Sequence, residues 1–162
     1  MSSPHSKSRS LMTRQGTRAI TLLFLSGTLG CGAVKRVHEC RAVIEAVNDG
    51  LSELHLQVPD AGASAPAYVA IADGYDALGR RLDELSPGDP ALVKAIESYR
   101  ELTQRAAKNS RAYSEALSVP AKSTKQRADK QAKLNRIRAE AQSDISREAL
   151  VVRKLNGVCH PQ

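Results

Sequence analysis

The 162-residue chain has no tryptophan, one phenylalanine, two methionines and three cysteines, and aromatic residues make up only 3% of it. Each scarcity removes a class of function. Met1, Met12 and Phe24 all lie near the N-terminus. Beyond them no methionine is left to ligate haem, and no Phe or Trp is left to stack on bases. Four tyrosines are the remaining aromatic supply. They are expected as core residues with hydroxyls at the rim, and an alanine-rich core leaves little material for a sizeable aromatic pocket. The chain also contains no Gly-x-Ser-x-Gly elbow, no phosphate-binding glycine loop and no Glu-x-x-His pair, which removes the motif-based routes to acyl transfer, nucleotide binding and di-iron chemistry. Acidic neighbours such as Asp73 with Asp76, or Glu97 with Glu101, read as solvated helix faces rather than acid and base pairs. No catalytic residue, no enzyme activity and no cofactor is expected.

The N-terminus supplies a positive signal. Four basic residues (Lys7, Arg9, Arg14 and Arg18) and no acid precede an apolar run from Ala19 to Gly30, and Cys31 follows. Basic stretch then apolar stretch is the order of a secretory leader, and twelve residues are too few to span a bilayer as a helix. The segment Leu25-Ser26-Gly27-Thr28-Leu29-Gly30-Cys31-Gly32 resembles the lipobox of bacterial lipoprotein precursors. Gly30 fits that pattern, whereas Thr28 stands where a leucine is usual. The resemblance implies cleavage after residue 30, lipid on Cys31, and a domain of residues 31–162 held in the cell envelope. Because no aspartate follows the cysteine, it also implies the outer membrane, facing the periplasm, over the inner one.

Beyond residue 30 the chain reads as an all-α fold. Val37, Cys40, Ile44, Val47, Leu51, Leu54 and Val58 recur at alternating spacings of three and four, predicting a helix over about 33–57. Tyr68, Ile71, Tyr75, Leu78, Leu82 and Leu85 predict a second, and a third runs from Leu92 through Tyr99 and Tyr113 to Leu117. Leu134, Ile137, Ala141, Ile145, Ala149, Val152 and Leu155 predict a fourth. Prolines 59, 66, 87, 90 and 120 fall between or at the starts of these segments. Asp89-Pro90 reads as a cap and first-turn pair, Ser123 with Gln126 as a capping box, and Gly157 as a helix stop. Short connections favour an antiparallel up-down-up-down four-helix bundle, with the third and fourth helices extended as a coiled-coil-like hairpin. Gly74 and Gly79 weaken the second helix by about 1 kcal/mol each.

That topology brings the start of the first helix to the end of the fourth. Cys40 and Cys159 become neighbours, and in an exported protein a disulfide is the expected outcome, leaving Cys31 as the odd cysteine available for lipid. The alternative is a metal- or cofactor-carrying bundle with a zinc site of His38, Cys40, Cys159 and His160.

Charge is uneven. Residues 31–162 hold 20 basic and 17 acidic residues, a net of +3. Between Gln104 and Arg138 ten basic residues face only Glu115 and Asp129, a local net of +8. The expectation is a basic hairpin tip, with Arg111, Lys122, Lys125, Arg127, Lys130 and Lys133 meeting an anionic partner: an acidic protein, a cell-wall polymer or a lipid head group. Nucleic acid is not expected, and the chain is a monomer or a dimer paired through the hairpin. The function anticipated is a non-enzymatic interaction or envelope-structural role.

Overall fold

Two side chains fix where helices begin. Asp89 accepts hydrogen bonds from the backbone N–H groups of Ala91 and Leu92 at 2.8 and 3.2 Å, satisfying donors that a helix start otherwise leaves open. Ser123 and Gln126 form a reciprocal capping box. In the computed structural model, which describes residues 29–57 and 64–160, these caps open the third and fourth of four helices. They are α1 (Leu29–Gln57), α2 (Ala65–Asp83), α3 (Pro90–Ser118) and α4 (Thr124–Cys159). No strand occurs among the described residues. The expected leader, residues 1–30, falls outside them except for its last two positions, which open α1; the side chain of Cys31 and all of Val58 also fall outside.

Each helix packs on the next in the chain. The side chain of Leu54 lies over Gly74 and that of Leu78 over Gly50. Asp83 pairs with Arg100, while the Ala65 carbonyl accepts from the Ser114 hydroxyl at 2.7 Å. Tyr99 reaches Glu148, and Lys130 reaches the end of α3. In each pair, numbers that rise along one helix fall along its neighbour, so successive helices are antiparallel. The α1–α4 contact is confined to one end, where Cys40 and Cys159 are bonded with a Cα–Cα separation of 5.6 Å.

A core beside this disulfide draws on all four helices. Cys40, Val43 and Val47 come from α1, Leu78 and Leu82 from α2, Leu92, Ile96 and Tyr99 from α3, and Val151 and Leu155 from α4. A second cluster joins Tyr113 and Ala116 of α3 to Leu134 and Ile137 of α4, with Tyr68 of α2 packed against it. Because α2 reaches Ser114, the part of the α3–α4 hairpin projecting past it is only the last turn of α3 and the first turns of α4, shorter than helix lengths alone suggest.

Two helix faces differ from the periodicity expected. In α1 the inward positions are Cys40, Val43, Val47, Gly50 and Leu54, whereas Val37 is 64% exposed. In α4 the seam runs Leu134, Ile137, Ala141, Asp144, Glu148, Val151 and Leu155; Ile145 is 59% exposed and Ala149 and Val152 also face outward. Both seams keep the 3,4 spacing but place a glycine or a carboxylate where a larger apolar residue was expected. Gly157 lies inside α4, because the helix continues to Cys159.

Gly50 of α1 and Gly74 of α2 are close-approach positions. A methyl group on Gly50 would meet Cδ1 of Leu78 at 2.7 Å and its Cβ and Cγ at 3.3 Å. Leu78 is buried and cannot swing clear. Gly50→Ala is therefore expected to destabilise the fold by about 1–3 kcal/mol in denaturant titration, overpacking outweighing the gain in helix propensity. Gly157→Ala, with nothing within 4 Å of the added carbon, is expected to stabilise by up to about 1 kcal/mol. Replacing both Cys40 and Cys159 by Ala, which reopens a link between positions 119 apart, is expected to lower unfolding free energy by up to about 5 kcal/mol.

Candidate functional site

The α4 seam is apolar at both ends and polar in its middle. Asp144 is 8% exposed. Its carboxylate accepts from Arg105 Nε at 3.2 Å and Asn109 Nδ2 at 3.0 Å, both on α3, with Arg147 at 3.5 Å. A buried carboxylate so surrounded is neutralised and hydrogen-bonded, which is the condition under which burial is tolerated. Glu148, one turn further on, is placed differently. It accepts from the Tyr99 hydroxyl at 3.1 Å, and among the described residues that is its one hydrogen bond and it has no ion-pair partner.

Between these carboxylates and α2 lies a cleft of about 250 Å³. Its floor is α3, contributing Tyr99, Leu102, Ala106 and Tyr113; α2 gives one wall with Tyr68, Ile71 and Tyr75; α4 gives the other with Ile137, Ala141, Asp144 and Glu148. Ala106 and Ala141 stand at the same level in the α3–α4 register, and two such short side chains leave the space open. All four tyrosines of the chain line it. Tyr99 and Tyr113 are core residues as expected, the Tyr99 hydroxyl turned to Glu148, whereas the expectation of too little aromatic material for a pocket is corrected. The tyrosines' scarcity in the sequence hid their concentration in space, because two come from α2 and two from α3.

The tyrosines fall into two pairs. At one end the rings of Tyr68 and Tyr113 are tilted at 47° with centroids 4.4 Å apart, and the Arg138 guanidinium lies 5.4 Å from the Tyr113 centroid, within cation–π range. At the other end Tyr75 and Tyr99 flank Glu148. Burial pushes the Tyr99 phenol well above its ordinary ionisation range, and the Glu148 charge adds to this; the same two causes raise Tyr75. Tyr68 is raised first by burial and then by Tyr113. Thr103 and Ser110 donate to the carbonyls of Arg100 and Ala106 on their own helix.

The residues singled out from sequence are dispersed. Cys40 and Cys159 are joined at the far end of the core. Both thiols of the zinc alternative are thereby oxidised, and His38 and His160 are exposed; among the described residues no three metal-ligating side chains cluster. The six tip residues divide. Arg111 pairs back to Asp73 and Asp76 of α2 at 3.0 and 2.5 Å. Lys130 donates to the Leu117 and Val119 carbonyls, closing the end of α3, and Lys133 pairs with Glu115 at 3.6 Å. Lys122, Lys125 and Arg127 remain exposed without an acidic partner among the described residues. No described helix is long and apolar enough to cross a membrane.

Compared with family models, with curated proteins and with solved structures, the chain matches none.

The phenols give a test of the cleft. A group whose ionisation is raised on folding contributes stability that is fully present below its unfolded value, about pH 10 for tyrosine, and is lost as pH climbs towards the folded value. Stability is therefore expected to fall above about pH 10. Near-ultraviolet absorbance should show Tyr68, Tyr75 and Tyr99 ionising late, in step with loss of helical circular dichroism.

Proposed function

We propose that this chain is an exported helical-bundle protein, anchored by lipid on Cys31, that acts by binding a small molecule in the α2–α3–α4 cleft and not by catalysis. The observation that carries the binding role is the convergence of all four tyrosines on one cavity beside a carboxylate that has no cationic partner among the described residues. Binding sites of this kind are concave and mainly apolar, with a few polar groups that fix orientation. A non-catalytic role is supported by the state of the polar groups: the Thr103 and Ser110 hydroxyls are committed to backbone carbonyls and the Tyr99 phenol is held protonated. None of them is an activated nucleophile.

Export is supported by the Cys40–Cys159 bond, since structural disulfides persist in oxidising compartments. That pairing leaves Cys31 as the third, odd cysteine next to a lipobox-like segment. The outer membrane, on its periplasmic face, is the compartment this resemblance favours. A second reading rests on Lys122, Lys125 and Arg127, which project from the α3–α4 connection with no acidic partner among the described residues. They suit an anionic surface, either a protein, a cell-wall polymer or lipid head groups.

Intact mass of the protein extracted from its native envelope is expected to correspond to a chain starting at Cys31, heavier by a diacylglycerol and a fatty acid, and to gain two hydrogens on reduction. A mature N-terminus elsewhere would overturn the anchor, and an unchanged mass on reduction would overturn the oxidised compartment.

A further inference from the structure

The cleft is chemically polarised along α4, and that polarity selects among ligands. Asp144 is compensated by Arg105, Asn109 and Arg147. Glu148 is not; its carboxylate receives one phenolic hydrogen bond, from Tyr99, and no cation among the described residues reaches it. Tyr75 shares the cleft wall opposite and feels the Glu148 charge. At the other end the ring of Tyr113 is already partnered by Arg138, so the rings next to Glu148 are the ones without a cation over them among the described residues. A carboxylate without an ion-pair partner on the wall of a mainly apolar cleft attracts a compensating positive charge. Aromatic rings beside it offer the negative face of their quadrupole to the same charge. Ile71, Leu102 and Ala106 continue the cleft away from Glu148 as an apolar surface.

We propose that the cleft binds an organic cation, an amine or quaternary ammonium group carrying an apolar body, with the cationic head between Glu148, Tyr75 and Tyr99 and the body along Ile71 and Leu102. This rests on the cleft being a ligand site and adds the chemistry of the ligand. A metal ion does not fit the same observations, because the other oxygen-bearing side chains nearby are already engaged, Asp144 by Arg105, Asn109 and Arg147, and Thr103 and Ser110 by carbonyls of their own helix. An anion is opposed by the Glu148 charge.

The test uses the full chain and a matched pair of probes, phenyltrimethylammonium and its neutral isostere tert-butylbenzene, followed by chemical shifts of the tyrosine rings. The cation is expected to shift Tyr75 and Tyr99 and to bind at least about tenfold more tightly than the isostere, the factor that about 1.4 kcal/mol of combined charge and cation–π attraction gives. Glu148→Gln keeps an acceptor for the Tyr99 hydroxyl and so preserves the fold. It is expected to abolish the preference for the cation, whereas Glu140→Gln, on the exposed side of α4, leaves it intact. Equal binding of the two probes, or a preference that survives Glu148→Gln, would overturn the cation assignment while leaving a ligand cleft. Absence of binding by both probes would overturn the cleft as a ligand site altogether.

Discussion

A carboxylate sits in the middle of the α3–α4 seam, and the architecture around it follows from how that charge is satisfied. Asp144 occupies the position where the 3,4 repeat of α4 would ordinarily place a leucine or isoleucine, and it is almost fully buried. Leaving such a charge unpaired is strongly destabilising, so α3 must bring Arg105 and Asn109 to it. Those contacts set the register of α3 against α4. The same register puts Ala106 against Ala141 and Tyr99 against Glu148, so one polar substitution in a helical seam creates both the space and the chemistry of the cleft.

The disulfide supplies the complementary constraint. α1 packs along α2 through the Gly50–Leu78 and Leu54–Gly74 contacts, but it meets α4 only where Cys40 joins Cys159. A fully closed bundle would cover the inner side of α4 with apolar side chains from a neighbour. Here Ile145, at the cleft, remains exposed instead. Closing one end covalently allows the middle to stay open, because the crosslink limits the unfolded ensemble without requiring a continuous seam between α1 and α4. A core shared by all four helices near the bond and a cleft among three of them further along are two results of that arrangement.

Much of this fold is legible in the sequence because helix periodicity, caps and prolines agree with one another. Asp89 and Ser123 cap as their side chains predict. Cys40 and Cys159 pair as the helix order predicts. What is not legible depends on partners. Apolarity alone assigns Ile145 to the core and Asp144 to solvent; the reverse holds because Arg105 and Asn109 lie 35 to 39 positions away in the chain. In the same way Gly50 takes an inward position because the Leu78 side chain packs directly over it. The cleft was hidden for a related reason. Tyrosines at 68, 75, 99 and 113 read as ordinary members of two amphipathic stripes, and only the pairing of α2 with α3 puts the four around one space. A signal was present in Val151, which extends Leu134, Ile137 and Ala141 at the same 3,4 spacing only if Asp144 and Glu148 also face inward.

The distribution of basic residues shows how local pairing reshapes a charge pattern. Ten basic residues between Gln104 and Arg138 suggest one extended positive surface. Arg105 is drawn to Asp144, Arg111 to Asp73 and Asp76, Lys130 to the end of α3 and Lys133 to Glu115. Arg138 lies over Tyr113. Half of the apparent patch is therefore engaged in holding helices together, and the field of the remainder is centred on Lys122, Lys125 and Arg127 at the α3–α4 connection. Glu148 stands out against this background. Where basic residues exceed acidic ones and most buried polar groups have found partners, a partly buried carboxylate supported by a single phenol is a group that the described residues leave largely unengaged. Sites that bind are the places where such groups are kept, because a group already satisfied within the fold has nothing left to offer a ligand.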